Sequence, residues 1–562
     1  MTAIYLGCEK LKSNKKIKII SGQSERAFMT GVLLLSASTV IVKIIGLAYK
    51  IPLLSILGAE GMGYFNSAYE IYAMLCVIST AGIPVALSIL ISGALERGDM
   101  LAADRIYKTA LRVLCILGFA GSSALCAFAK PISSFVGNPS AYYCILAVSP
   151  ALLFSCVSGA ARGYFQGRRN MFPTALSQLT EALGKLILGV ALALRARERG
   201  MPVPIASAFA VLGLVIGGAV SASYLVAAVV SDKRKNKNVL ICAESDGYGK
   251  GALASILHIA FPITLGAALL GVTRVIDMTL IMRRLQYIGI STLAANEIYG
   301  SYTTLALPVF SLIPALVTPI SESLIPRLSA AVETGETSEQ RAAVEKSIRL
   351  TALLGMPSSM GILLYSRQIL GLIFRGQPQA IAIASPLLAT LGASVLFSCL
   401  ITTTNAILQS YRKVILPIAS MAVGAIVKSV SAYLLIGSVG IGELGAPIST
   451  LLCDVTVVGL NIFFVDRAVP QKTATSKLLV KPFFASLAAI ALSASAYLPV
   501  YSVTDSESLA FLVALVCAAA SYFGFAVLFG ALKSEDLASL PIIDKFYERK
   551  IKKVKNKVKN KE

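Results

Sequence analysis

The sequence has no tryptophan and one histidine, and only 14% of its 562 residues are Asp, Glu, Lys or Arg. A water-soluble chain carries about a quarter charged residues, so this one is not built to meet water on all sides. The single histidine, His258, sits in the apolar run SILHIAF, where it reads as a packed or interfacial residue. The ten cysteines are scattered, with no CxxC and no Cys/His cluster, so neither a disulfide framework nor a metal site is expected. Phosphate-loop, HExxH and GxSxG sequences are missing as well, and so is any stretch suited to a large soluble domain. No cofactor and no bond-making catalysis are expected.

What the chain has is apolar length. Hydrophobic residues make up 56% of it, with a mean hydropathy of +0.76. Runs long enough to cross a bilayer recur from one end to the other. Backbone groups in lipid must be hydrogen-bonded within their own segment, so these runs are expected to be helices. The expectation is an all-α polytopic membrane protein with about fourteen spans. Two pseudo-symmetric six-helix lobes, 28–230 and 252–466, would be followed by two further helices within 467–533. A basic tail (1–27), a basic linker (231–251) and a second basic tail (534–562) would flank and join them.

The net charge of +22 invites a nucleic-acid reading, but its placement argues against one. Lys and Arg gather in alternate short loops, as in Arg168, Arg169, Lys233, Lys235, Arg412 and Lys413, and in both tails. The positive-inside rule then puts both termini in the cytoplasm and the protein in the cell membrane. Arg195, Arg197 and Arg199 run against that pattern. The tails are suited to the anionic inner leaflet.

Two stretches repeat. RGYFQGRRNMFPTALSQLTEALGKL begins at Arg162, and NAILQSYRKVILPIASMAVGAIVK begins at Asn405. Gln166 to Lys185 and Gln409 to Lys428 have the same spacing. Upstream, Lys43 aligns with Arg274 and Arg112 with Arg349, with the offset growing along the chain from 231 to 243. With six helices per half, the copies share one orientation and are related about an axis along the membrane normal, as in duplicated transporters.

Charges within spans cost at least ~2.5–3.5 kcal/mol each on insertion scales, so they mark functional positions or pairs. Arg112 and Arg349 lie near helix ends and can snorkel. Lys43 and Arg274 lie well inside the first helix of each half, and Lys43, Gly46 and Lys50 share a helix face. With Lys185 and Lys428, Lys43 and Arg274 form the candidate substrate-binding set for an anionic headgroup. Glu181 precedes Lys185 by four residues, and Arg274 shares a face with Asp277, so both invite intrahelical ion pairs. Asp277, Glu70, Glu322 and Asp454 are candidates for charge balance or ion coupling. Arg162, Gln166 and Gln409 mark the repeat.

The stretch RGYFQGRRNMFPTALSQLTEALGKL resembles the stage V sporulation protein B group, membrane proteins of spore-forming Gram-positive bacteria. LGAEGMGYFNSAYEIY, AGIPVALS and LQSYRKVILPIASMAVGAIVK are similar to it too. The resemblance covers roughly residues 28–533 and points to the multidrug/oligosaccharidyl-lipid/polysaccharide exporter superfamily. The resemblance implies fourteen helices in two lobes around a central cavity, alternating access, and transport of a lipid-linked oligosaccharide such as lipid II in peptidoglycan or spore-cortex synthesis. It also implies cavity arginines and a groove for the lipid tail along the last two helices. By position, Arg274 and Lys43 stand where such cations belong. A cation-coupled drug exporter and a non-transporting scaffold for cell-wall enzymes are the alternatives. The exporter would need an excess of acidic residues within its spans, where those here are mostly basic.

Overall fold

A computed structural model describes residues 20–235, 251–470 and 475–532, and these are helical with no strand among them. Most of the two basic tails and of the linker expected at 231–251 lies outside the described residues. The helices are α1 (Ile20–Thr80), α2 (Gly82–Glu96), α3 (Met100–Ala127), α4 (Ala129–Val136), α5 (Tyr142–Val148), α6 (Ala151–Gly167), α7 (Phe172–Glu198) and α8 (Val203–Lys235). They continue as α9 (Ala252–Tyr287), α10 (Thr292–Ser301), α11 (Leu307–Thr334), α12 (Thr337–Ile373), α13 (Pro378–Ser410), α14 (Ile415–Ile436), α15 (Gly445–Ala468), α16 (Thr475–Thr504) and α17 (Glu507–Leu528).

Twelve segments among the described residues are long and apolar enough to cross a membrane. The first, Ile41–Glu96, is 56 residues long. Across residues 55–63 the chain stays helical and turns at one residue. Gly58 has φ 70° and ψ 179°, a region open essentially to glycine alone, so one residue does the work of a loop. The helix α7 carries Glu181, Lys185, Arg195, Arg197 and Glu198 and is not among the twelve.

The repeat has a structural counterpart in the turns after α6 and α13. Arg169 N–H donates to Gln166 O at 2.9 Å and Asn170 N–H to Phe165 O at 3.0 Å; Arg412 N–H donates to Gln409 O at 2.9 Å and Lys413 N–H to Leu408 O at 3.0 Å. Each is a Schellman turn, and its left-handed position, usually glycine, holds arginine: φ is 58° at Arg169 and 59° at Arg412. Each arginine then reaches a carboxylate at the end of an earlier helix, Arg169 to Glu96 at 2.6 Å and Arg412 to Glu333 at 2.7 Å.

The helices pack as two compact units, residues 1–304 and 305–562. In the first unit, α7 and α8 touch backbone to backbone. A Cβ on Gly184 would lie 2.5 Å from Gly217 Cα, and one on Gly213 would lie 2.2 Å from Gly189 N. Such small-residue contacts replace the hydrophobic drive that lipid cannot supply. The helix α10 docks on α1 in the same way, with Gly300 against Ala59 O.

A buried polar chain secures that docking. Asn138 donates to Asn296 Oδ1 at 2.7 Å and to Ser67 Oγ at 3.1 Å, and Asn296 donates to Glu60 O at 2.7 Å. At the end of α9, Arg283 donates to Phe135 O and Ser134 O, and Gln286 to Gly137 O. These bonds cap the C-terminal end of α4, where Ser134 O also accepts from Gly137 N–H.

The second unit is built on α13, which packs against α11, α12 and α15, with α16 and α17 paired beside α12. Its interior polar groups are mutually bonded. Thr403 meets Ser321 at 3.0 Å and Thr351 at 2.6 Å, and Asn461 donates to Thr404 and Asn405.

Candidate functional site

The first unit gathers charge around the middle of α1. Lys50 donates to Thr303 O at 2.8 Å, in the π-helical turn Tyr302–Ala306 that follows α10. Such widened turns often occur at functional positions. Asn66 fixes the same turn by donating to Thr303 Oγ1 at 2.9 Å and Thr304 Oγ1 at 2.8 Å.

Lys185 enters from α7. Its ammonium lies 4.5 Å from the centroid of Tyr69, 4.9 Å from Tyr49 and 5.6 Å from Phe65, three rings that α1 supplies. Ring faces hold a cation without accepting its N–H groups in ordinary hydrogen bonds. Lys50 and Lys185 lie within electrostatic range of each other.

The intrahelical pair anticipated for Lys185 is replaced by another. Glu181 is held by Arg162 from α6, Nη2 to Oε2 at 2.8 Å, while Arg162 Nε donates to Ser177 Oγ at 3.0 Å. The guanidinium reaches across the α6–α7 hairpin and takes the carboxylate, and the more flexible lysine turns to the aromatic faces. Glu181 remains in the electrostatic surroundings of Lys185, Tyr69 and Tyr72.

Glu70, one turn beyond Asn66, is acted on by the charges of Arg274, Lys50 and Asp277, in that order. Its Oε2 is buried without a hydrogen-bond partner among the described residues. Arg274 on α9 and Glu70 on α1 thus lie within electrostatic range of each other. The unit brings together Glu70, Lys185, Arg274 and Asp277 from the sequence-derived set. It adds Lys50 and gives Arg162 and Glu181 a place beside them.

Other candidates lie elsewhere. Lys43 is exposed on α1, about 10 Å along the helix from Lys50 by the rise per residue, with no hydrogen bond or ion pair among the described residues. Gln166 is half-buried and Gln409 exposed, and both contribute their backbone carbonyls to the Schellman turns. In the second unit, Asp454 accepts from Ser394 at 2.7 Å and from Ser398, and lies in the field of Lys428. Glu322 is exposed on α11. Lys50 was signalled by its seven-residue spacing from Lys43; the aromatic faces around Lys185 carried no comparable signal, because Tyr49, Phe65 and Tyr69 look like ordinary apolar positions of one helix.

A family model described as "Polysaccharide biosynthesis protein" matches residues 28–332, which is more than half the chain. The chain belongs to the polysaccharide biosynthesis protein family. A second model, MatE, matches residues 262–434. Stage V sporulation protein B of Bacillus subtilis (strain 168) is 23% identical over 533 residues, covering 94% of this chain and 100% of that protein. The lipid II flippase MurJ of the same organism is 24% identical over 420 residues, 72% of this chain and 76% of that one. A solved structure of a lipid II flippase MurJ in an inward closed conformation superposes with a TM-score of 0.67 at 16% identity, covering 88% of this chain and 98% of that one. The fold is that of the multidrug/oligosaccharidyl-lipid/polysaccharide exporter superfamily, and this family member is a multi-pass membrane transporter.

Proposed function

We propose that this member of the polysaccharide biosynthesis protein family is a flippase for a polyprenyl-diphosphate-linked saccharide, a lipid II-like precursor, moved by alternating access. The observation that carries the reading is the seat of Lys185. Its ammonium is held on three aromatic faces with no hydrogen-bond acceptor among the described residues. An oxyanion arriving there accepts the ammonium N–H groups in charge-assisted hydrogen bonds. Arg274 and, farther along α1, Lys43 extend the basic path. The lipid tail stays in the bilayer, and α16 and α17 are the helices assigned to it. Lys428 is assigned to substrate binding in the second repeat, and Asp277, Glu70, Glu322 and Asp454 to charge balance.

The topology that goes with this function has fourteen spans and both termini in the cytoplasm. It requires Ile41–Glu96 to cross twice and α7 to cross once. A straight 56-residue helix would be about 84 Å long, far beyond the ~30 Å of a hydrocarbon core, so two crossings fit its length. The lobes follow the sequence repeat at 28–230 and 252–466, with the protein working as a monomer.

The MatE match keeps a cation-coupled drug exporter in view. Such an exporter needs carboxylates free to attract an organic cation, whereas Glu181 here is bound by Arg162. The test is native mass spectrometry of the purified protein with undecaprenyl diphosphate, undecaprenol and a lipophilic organic cation, comparing wild type with Lys50→Ala/Lys185→Ala. Diphosphate preference that is lost in the double variant is the expected result. Binding of the organic cation alone would overturn the flippase reading in favour of the exporter.

A further inference from the structure

The Arg162–Glu181 pair has no counterpart in the second repeat. At the 243-residue offset that relates Gln166 to Gln409, Arg162 corresponds to Asn405 and Glu181 to Gly424, while Ser177 corresponds to Ser420. The second copy nevertheless forms the same Schellman turn, with arginine in the same left-handed position. Asn405 there accepts from Asn461. An ion pair is therefore not what this stretch of chain needs in order to fold.

The pair is also incompletely used. Arg162 spends Nε on Ser177 and Nη2 on Glu181, so the remaining N–H groups of its fork have no acceptor among the described residues. Its side chain is 22% exposed and that of Glu181 35%, so neither is sealed in the packed interior. One turn further along α7 stands Lys185, whose N–H groups have no acceptor among the described residues. Arg162, Glu181 and Lys185 thus run as cation, carboxylate, cation.

We propose that Glu181 is an internal stand-in for substrate phosphate: it occupies the Arg162 fork when no headgroup is bound, and an incoming diphosphate displaces it and is then held between Arg162 and Lys185. This rests on the flippase reading and adds to it a specific ligand, Arg162, and a specific competitor. A carboxylate and a phosphate oxygen present the same forked acceptor to guanidinium, so one can take the other's place. A tethered competitor weakens binding of the headgroup, and its return to Arg162 aids release. Glu181 therefore trades affinity for turnover.

The experiment is a double-mutant cycle on the full-length protein, read by native mass spectrometry with undecaprenyl diphosphate as probe and undecaprenol as control. Glu181→Gln is expected to bind the diphosphate about fivefold tighter than wild type and to flip it more slowly in proteoliposomes, and Arg162→Asn to bind about fivefold more weakly. In the Arg162→Asn background, Glu181→Gln is expected to give a much smaller gain, because most of its effect runs through Arg162. Thermal unfolding of the neutral double variant checks the fold, and the second repeat shows that the turn forms without the pair. Unchanged or weaker binding by Glu181→Gln, or the same gain with and without Arg162, would overturn the role given to Glu181 while leaving the flippase reading intact. A wild type that does not prefer the diphosphate to undecaprenol would overturn the flippase reading and this role with it.

Discussion

The ammonium of Lys185 lies 4.5 Å from the centre of the Tyr69 ring and so is held by an element other than its own. Replacing Lys185 with Met keeps the stem and removes a charge that is costly to hold away from water. The unfolding temperature in detergent is expected to hold steady or rise, while binding of undecaprenyl diphosphate falls at least ~10-fold, the loss of about one charge-assisted hydrogen bond. Tyr69→Leu is expected to lower both, since each such cation–ring contact is worth about 0.5–2 kcal/mol. Undiminished binding by the Met variant would reduce Lys185 to a packing residue.

Arg169 and Arg412 hold left-handed backbone that favours glycine, and each makes an exposed ion pair. Exposed pairs contribute roughly 0–1 kcal/mol, about what relief of the strained backbone returns. Arg169→Gly and Arg412→Gly are therefore each expected to leave stability within about 1 kcal/mol of wild type. A β-branched Val at either site should cost more, because it cannot adopt that conformation readily. Chemical denaturation of the four variants checks this, and unlike responses at the two turns would break the parallel between them.

Gly300 and Gly266 give an internal comparison. A Cβ at Gly300 would lie 2.0 Å from Ala59 O, whereas nothing lies within 4 Å of one at Gly266. Gly300→Val is expected to push α10 off α1, to cost at least about 1–3 kcal/mol and to lower the folded yield. Gly266→Val should express and unfold like wild type. Equal behaviour in size-exclusion chromatography and thermal unfolding would mean that the α1–α10 contact is looser than described.

Asn138→Ala removes the donor shared by Ser67 and Asn296, two groups buried with it. The expected loss is about 1–3 kcal/mol, the cost of leaving buried polar groups unsatisfied. Asn138→Asp, of nearly the same shape but lacking the amide donor, is expected to be no better. Hydrogen exchange at residues 292–301 is the readout, and protection unchanged from wild type would show that the chain of bonds is not what secures α10.

Much of this architecture could be read in the sequence, because lipid admits few solutions. The apolar runs had to be helices, and the spacing of Gln166 to Lys185 and Gln409 to Lys428 exposed a duplication that the paired turns then expressed in backbone geometry. The candidate site was only half legible. Lys185, Arg274, Glu70 and Asp277 announced themselves as charges inside apolar segments. Their partners did not, because side-chain pairing is decided across helices: Glu181 goes to Arg162 on α6 instead of Lys185 on its own helix. The packing boundary after Thr304 was equally hidden, since it depends on glycine contacts such as Gly300 with Ala59, which leave no periodic mark.

The turn at Gly58 has a practical side. Because a single residue joins the two arms of α1, there is no slack in the chain where a reporter enzyme, an epitope or a protease site can be spliced without unwinding helix on both sides. Insertions at residues 55–63 would report damage rather than sidedness. The location of that end of α1 is better read by labelling single cysteines introduced at Ser55, which is exposed, in a background cleared of the accessible native thiols.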